Sequence, residues 1–166
     1  MPDERDDDQE GLDMPPAFFP YEPGEEPAVP SDDLGEPVEV SVEGVFLVER
    51  NGSVQRFVLL SDGDRKVSIT IGQFEAASIS LPLEGTQPDR PNTHDLMKVL
   101  LERLDGSLLR VVIDDIWNGT YYAKIYVETN GEELEIDSRP SDAIALALRW
   151  NAPIYIVDGI LERGAE

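Results

Sequence analysis

Val45-Phe46-Leu47-Val48-Glu49-Arg50-Asn51-Gly52-Ser53-Val54-Gln55-Arg56-Phe57-Val58-Leu59-Leu60 sets an Asn-Gly step between two largely apolar runs. Asn-Gly tolerates the positive φ of a tight hairpin turn, so the apolar runs on either side read as two antiparallel strands. Upstream, Val38, Val40 and Val42 alternate with acids and serine at period two and extend the first strand. Downstream, Asp62-Gly63 supplies another turn, and Val67, Ile69 and Ile71 form a third strand. Residues 73–83 place Phe74, Ala77, Ile79 and Leu81 at mixed spacing, which predicts a helix ending at or near Pro82.

The later part of the chain follows the same plan. An offset of 67 positions brings Asn51-Gly52 onto Asn118-Gly119, Val58 onto Ile125, Val67 onto Leu134, Ile69 onto Ile136 and Glu75-Ala76 onto Asp142-Ala143 without a gap. Two similar β-β-β-α units are implied. Alone, each would leave a sheet face bare, so the expected class is α+β, a single domain in which an internal duplication shares one core. Between the units, Leu96, Val99, Leu100 and Leu104 recur at helical spacing over 93–104, ahead of a stop at Asp105-Gly106, and predict an amphipathic helix. After the second unit, Pro153 to Val157 reads as a short buried strand and Gly159 to Arg163 as a frayed terminal turn.

The folded domain is expected over 38–163, preceded by a tail of different character. Residues 1–37 carry 13 acids and one base, a net of −12 out of −22 for the chain, together with eight prolines. Proline removes backbone donors and like charges repel, so this segment is expected to stay disordered. Met14 to Tyr21 interrupts it with aromatics, either a short docking motif or a sticky patch on a solvated tail. The remaining −10 falls on the domain, and repels phosphate backbones at long range. Acidity of this kind also suits a high-salt cytoplasm, where repulsion is screened. With no cysteine, disulfides and thiolate metal sites are excluded, and a metal would need oxygen ligands or His94, the single histidine. No apolar run reaches the roughly 20 residues of a membrane span and the N-terminus lacks a secretory pattern, so a cytoplasmic protein without membrane association is expected.

Two polar clusters sit where loops enter helices: Asp89-Arg90-Pro91-Asn92-Thr93-His94-Asp95 and Asp137-Ser138-Arg139-Pro140-Ser141-Asp142. One reading is structural. Thr93 or Ser141 caps its helix, Asp95 and Asp142 meet the helix dipole, and Arg90 and Arg139 form ion pairs. The other is functional. A helix N-terminus and a planar arginine fork suit a phosphate, nearby carboxylates can hold a divalent ion, and His94 can move protons. Spacing alone does not choose between them.

The strings Ile71-Gly72-Gln73-Phe74-Glu75-Ala76, Arg90-Pro91-Asn92-Thr93-His94-Asp95, Gly119-Thr120-Tyr121-Tyr122-Ala123 and Asp137-Ser138-Arg139-Pro140-Ser141-Asp142-Ala143-Ile144-Ala145-Leu146-Ala147-Leu148-Arg149, closed by Ala152-Pro153-Ile154-Tyr155, resemble the signature blocks of the bifunctional nuclease family. Taken together and in order they are specific, although each alone is weak. Asn92 stands where similar proteins often carry an apolar residue, a change that bears on the helix cap. The resemblance implies a divalent-metal-dependent nuclease cleaving RNA or DNA with low sequence specificity. Carried onto this chain, it implies that Asp95, Asp137, Asp142 and Glu75 supply oxygens to magnesium or manganese. His94 would handle protons together with those aspartates, and Arg90, Thr93, Arg139 and Ser141 would hold the scissile phosphate. Charge favours another reading, a non-catalytic interaction or regulatory module, and a binder of a small anion at the two helix N-termini stays open because those sites need not hold a polymer. A homodimer covering exposed sheet is also expected.

Overall fold

Three strands in meander, then a helix, occur twice along the chain, and a short strand between the two meanders closes them into one sheet. The computed structural model describes residues 34–164, so the tail over 1–33, with its Met14 to Tyr21 cluster, lies outside the described residues. The elements are β1 (Pro37–Arg50), β2 (Ser53–Ser61), β3 (Lys66–Ile71), α1 (Gln73–Leu83), α2 (Thr93–Arg103), β4 (Gly106–Trp117), β5 (Thr120–Thr129), β6 (Glu132–Ser138), α3 (Pro140–Trp150), β7 (Ile154–Val157) and α4 (Asp158–Gly164). The seven-stranded sheet runs β3-β2-β1-β7-β4-β5-β6. All neighbours are antiparallel except β4 and β7, which makes this a mixed sheet in an α+β domain.

The two Asn-Gly turns read from the sequence form as their chemistry requires, and Asn130-Gly131, between β5 and β6, makes a third with φ of 53° and 77°. Asn51 and Gly52 have φ of 51° and 75°, and Asn118 and Gly119 have 50° and 76°, the left-handed values that close a two-residue hairpin. Register follows these turns, with Val45 paired to Val58 across the first and Val111 to Ile125 across the second; on the outer strands Val58 pairs with Ile69 and Leu60 with Val67, as Ile125 pairs with Ile136 and Val127 with Leu134. Alternation then sorts the faces. Along β5, Ala123, Ile125 and Val127 are buried while Tyr122, Lys124 and Tyr126 point the other way, where Lys124 pairs with Glu135 and Asp114 and Tyr126 donates to Glu135.

The core joins both meanders through β7, whose Ile154 and Ile156 are buried between Val40 of β1 and Val111 and Ile113 of β4. Helix α3 carries the apolar run Ala143 to Ala147, buried throughout. The terminal segment is not frayed, contrary to its sequence reading. Residues Asp158–Gly164 form α4, Ile160 and Leu161 are fully buried, and the Gly159 and Asp158 amides donate to the carbonyls of Leu34 and Glu36. Gly159 lies too close to the Leu34 backbone to accept a Cβ without displacement. Helix α4 also packs on β3, where Val67 and Ile69 are 1% and 5% exposed; their counterparts on β6, Leu134 and Ile136, are each 44% exposed.

Helix α1 contains Pro82 in its last turn and ends after it. Proline lacks the N–H that would bond the carbonyl four residues earlier, so the Ser78 carbonyl is released for another donor. Helix α2 is inverted with respect to its periodicity. His94, Lys98 and Leu101 face the protein, while Leu96, Met97, Val99, Leu100 and Leu104 are 41–70% exposed. No helix among the described residues is long and apolar enough to cross a membrane.

Candidate active site

Helices α1, α2 and α3 each begin with an acid at the third helical position: Glu75, Asp95 and Asp142. A carboxylate there complements the helix dipole and can reach back to the free amides. Asp95 does so, accepting from the Asn92 amide at 2.8 Å. Asn92 is therefore the N-cap residue of α2, and Arg139 that of α3 with Pro140 at its first turn; Thr93 and Ser141 do not occupy the cap positions expected of them. Proline fixes φ at the first helical position, so α3 starts one residue before Ser141.

The two clusters meet through His94. Its Nε2 faces Asp142 Oδ1 at 2.9 Å, and because a carboxylate only accepts, Nε2 carries the hydrogen. Nδ1 lies 3.2 Å from Ser78 Oγ on α1, so one buried imidazole ties three helices together. Arg139 donates to the same carboxylate, from Nε to Oδ2 at 2.6 Å and from its second terminal nitrogen to Oδ1 at 3.2 Å; its first terminal nitrogen donates to Glu75 Oε1 at 3.2 Å. Bonding from His94 above all, and then from Arg139, lowers the Asp142 carboxyl from 3.8 to about 2 against the opposing effect of burial. Asp142 and Glu75 in turn hold Arg139 more firmly charged.

A second pair lies behind the first. Arg149, only 6% exposed, donates through Nε to Asp95 Oδ1 at 2.6 Å and through a terminal nitrogen to the carbonyls of Ser78 and Ala145, both at 2.8 Å. The Ser78 carbonyl is the one released by Pro82. Burial pushes the Asp95 carboxyl up, but the Asn92 amide and Arg149 outweigh it and hold the group below 3.8. Lys98 caps the end of α3 at the Arg149 carbonyl, 2.7 Å away, with its ammonium over the Trp150 ring.

In front of this network opens a cleft of about 580 Å³. It is lined by the end of β3 and Gly72, by Glu75, by the β4–β5 turn from Gly119 to Tyr121, and by Arg139, Pro140 and Ser141. Three of the four sequence blocks thus converge on one place, with hydroxyls from Ser68, Thr70, Thr120 and Ser141 and one guanidinium, 65% exposed, among them. Glu75 folds back over Gly72, leaving no room for a Cβ there. Burial pushes the Tyr121 phenol up, so this ring presents a neutral hydroxyl. Two exposed aromatics neighbour lining residues in chain or ladder: Phe74 next to Glu75, and Trp117 paired with Thr120 across the hairpin.

Of the residues singled out from the sequence, Glu75, His94, Arg139 and Asp142 are bonded in one chain and Ser141 lies beside them in the cleft. Asp95 is joined to Arg149 instead. Arg90 and Thr93 are exposed and outside the cleft lining, and Asp137 is exposed on β6 opposite Lys124. The four acids expected around a metal are accordingly not gathered, and among the described residues no three of His, Asp and Glu come together to hold one. Sequence reasoning missed Ser78 and Arg149. The signal for Arg149 was present: it is the lone charge after the apolar run from Ala143 to Leu148.

Fold and site together define an α+β domain with a polar cleft at the junction of two antiparallel meanders, lined by the N-termini of α1 and α3. Residues 58–166 match the bifunctional nuclease domain family. The protein Rv1829 of Mycobacterium tuberculosis (strain ATCC 25618 / H37Rv), described as uncharacterized, is 39% identical over 123 residues, covering 74% of this chain and 73% of the relative. Bifunctional nuclease 1 of Oryza sativa subsp. japonica is 28% identical over 101 residues, 58% of this chain but 30% of the rice protein. The chain belongs to the bifunctional nuclease domain family.

Proposed function

We propose that the cleft cleaves phosphodiester bonds of RNA or DNA with low sequence specificity, and that Arg139 holds the scissile phosphate. The observation that carries this reading is the convergence of three signature blocks on a cleft lined by the half-exposed guanidinium of Arg139. A guanidinium matches two phosphate oxygens, and Asp142 orients it from behind. His94, bonded on both ring nitrogens and absent from the cleft lining, acts as a positioning residue through Asp142. Ser141 and Thr120 offer hydroxyls to the neighbouring backbone, while Phe74 and Trp117 offer faces on which unpaired bases stack.

Magnesium or manganese belongs to the same proposal. Magnesium usually uses one or two carboxylates together with substrate phosphates, and Glu75 is the carboxylate in the cleft that fits that pattern. Such an ion would neutralise charge developing on the transferred phosphoryl group. Asp95, Asp137 and Asp142 are engaged or placed elsewhere and take no part in holding it.

A second reading, a non-catalytic nucleic-acid or small-anion binder, is favoured by the bonded state of Asp95 and Asp142, which are committed as structural partners. One assay separates the two. End-labelled single-stranded RNA and DNA are incubated with the full chain, with and without magnesium or manganese, and with Arg139→Ala and Glu75→Gln. Cleavage by the wild type that falls at least about tenfold in Arg139→Ala supports the proposal. Cleavage unchanged in both variants refutes it, and binding without cleavage establishes the second reading.

A further inference from the structure

Only 6% of the Arg149 side chain is exposed, yet its donors are not all used. Nε donates to Asp95, and both hydrogens of one terminal nitrogen go to the Ser78 and Ala145 carbonyls; the other terminal nitrogen, Nη2, bonds to nothing among the described residues. Every fully enclosed side-chain nitrogen and oxygen among the described residues has a partner, so Nη2 is not sealed in but opens to the hollow of about 320 Å³ that Arg149 lines. This hollow shares no lining residue with the cleft and lies where the end of α1 and the loop after it meet α2 and the end of α3. Lys98 lines it too, and its ammonium gives one hydrogen to the Arg149 carbonyl and has two more. Glu102 is 3.7 Å from that ammonium, but it stands outside the hollow and is 49% exposed, where water weakens the pair. Leu81, Pro82, Pro88 and Leu148 supply apolar wall.

We propose that the hollow binds a small organic monoanion, a single carboxylate on a short apolar body, with its head on Arg149 Nη2 and the Lys98 ammonium. A buried arginine with unused donors beside a lysine suits an anionic oxygen, and a hollow of this volume is at the small end of ligand sites. Charge limits the head to one negative unit. Arg149 and Lys98 face a single acid, Asp95, so the lining carries a net +1 that one carboxylate neutralises. A phosphate dianion would leave excess negative charge beside Asp95, in a domain whose own net charge is −10.

Titration of sodium butyrate into the isotope-labelled full chain at constant ionic strength tests this, read by amide and arginine Nε chemical shifts. Saturable changes are expected at residues 81–88, 95, 98 and 148–149. Acetate should bind at least about threefold more weakly, because it covers less wall. Inorganic phosphate, largely a dianion at about pH 8, should bind at least about tenfold more weakly than butyrate. Lys98→Gln keeps a donor for the Arg149 carbonyl and loses the charge, so circular dichroism should be unchanged while butyrate affinity falls at least about tenfold. Arg139→Ala, in the cleft, should leave that affinity as it is. No saturable change with butyrate would show that Nη2 is only hydrated and overturns the proposal, as do changes centred on residues 139–141 or an affinity indifferent to Lys98→Gln. Phosphate binding as tightly as butyrate refutes the single-charge assignment.

Discussion

Replacing Asp142 with asparagine removes the carboxylate on which α2, α3 and Arg139 meet. In the folded chain this group titrates at about 2 rather than 3.8, held down first by His94 and then by Arg139. At about 1.4 kcal/mol for each tenfold change in proton affinity, the ionised form stabilises the fold by about 2 kcal/mol at neutral pH. The folded value lies below the unfolded one, so this contribution is complete above the unfolded value and fades as pH falls towards the folded one. Asp142→Asn should therefore lower the unfolding free energy by about 2 kcal/mol near neutrality and by about 1 kcal/mol near pH 3. Urea unfolding followed by circular dichroism, at low protein concentration and several pH values, measures both. A difference below about 0.5 kcal/mol at neutral pH, or one that stays constant down to about pH 3, would refute the assignment of Asp142 as the ionised partner of His94 and Arg139.

Arg149→Met should cost about 3 kcal/mol in the same unfolding experiment, because it strands the Asp95 carboxylate and the Ser78 carbonyl that Pro82 leaves without a donor. Adding Asp95→Asn to that variant should recover part of the loss, and strict additivity of the two would show that the pair is not coupled. Gly119→Ala should cost about 1 kcal/mol, since φ of 76° lies in the left-handed region and the space around the Cβ is open, so strain is the only penalty. Because the cleft offers a single guanidinium on an acidic domain, binding of a non-cleavable single strand should weaken with salt along a log–log slope of about −0.7. A slope several times steeper would place the strand on other basic residues.

The hairpins were legible because Asn51-Gly52 and Asn118-Gly119 state their backbone conformation in their chemistry, and register follows from the turn. The placement of β7 between β1 and β4 was not legible: Ile154 to Val157 announces burial but not its neighbours. For α2, periodicity identified the apolar face correctly and said nothing of its direction, which is decided by whether directed bonds from His94, Asp95 and Lys98 outweigh burial of leucines. Helix α4 escaped notice because seven residues bounded by glycines carry little periodic signal. Its order comes from tertiary contacts of Ile160 and Leu161 and from amides paired with Leu34 and Glu36. At the site, a bond from His94 to Asp142 links the two clusters, while Arg90 and Thr93 stay outside the cleft, Asp95 turns to Arg149 and Asp137 lies on β6. Which acids would be spent on structure depended on Arg149, the last residue of its block with no role read for it, and on Ser78, which belongs to no motif.

Mapping a non-cleavable single-stranded oligonucleotide onto the isotope-labelled full chain by amide chemical shifts tests the central claim most directly. The largest changes are expected at residues 68–72, 75, 119–121 and 139–141, reduced in Arg139→Ala. Changes confined to the exposed face of α2 or the β6 edge, with residues 139–141 and 119–121 unmoved, would contradict it.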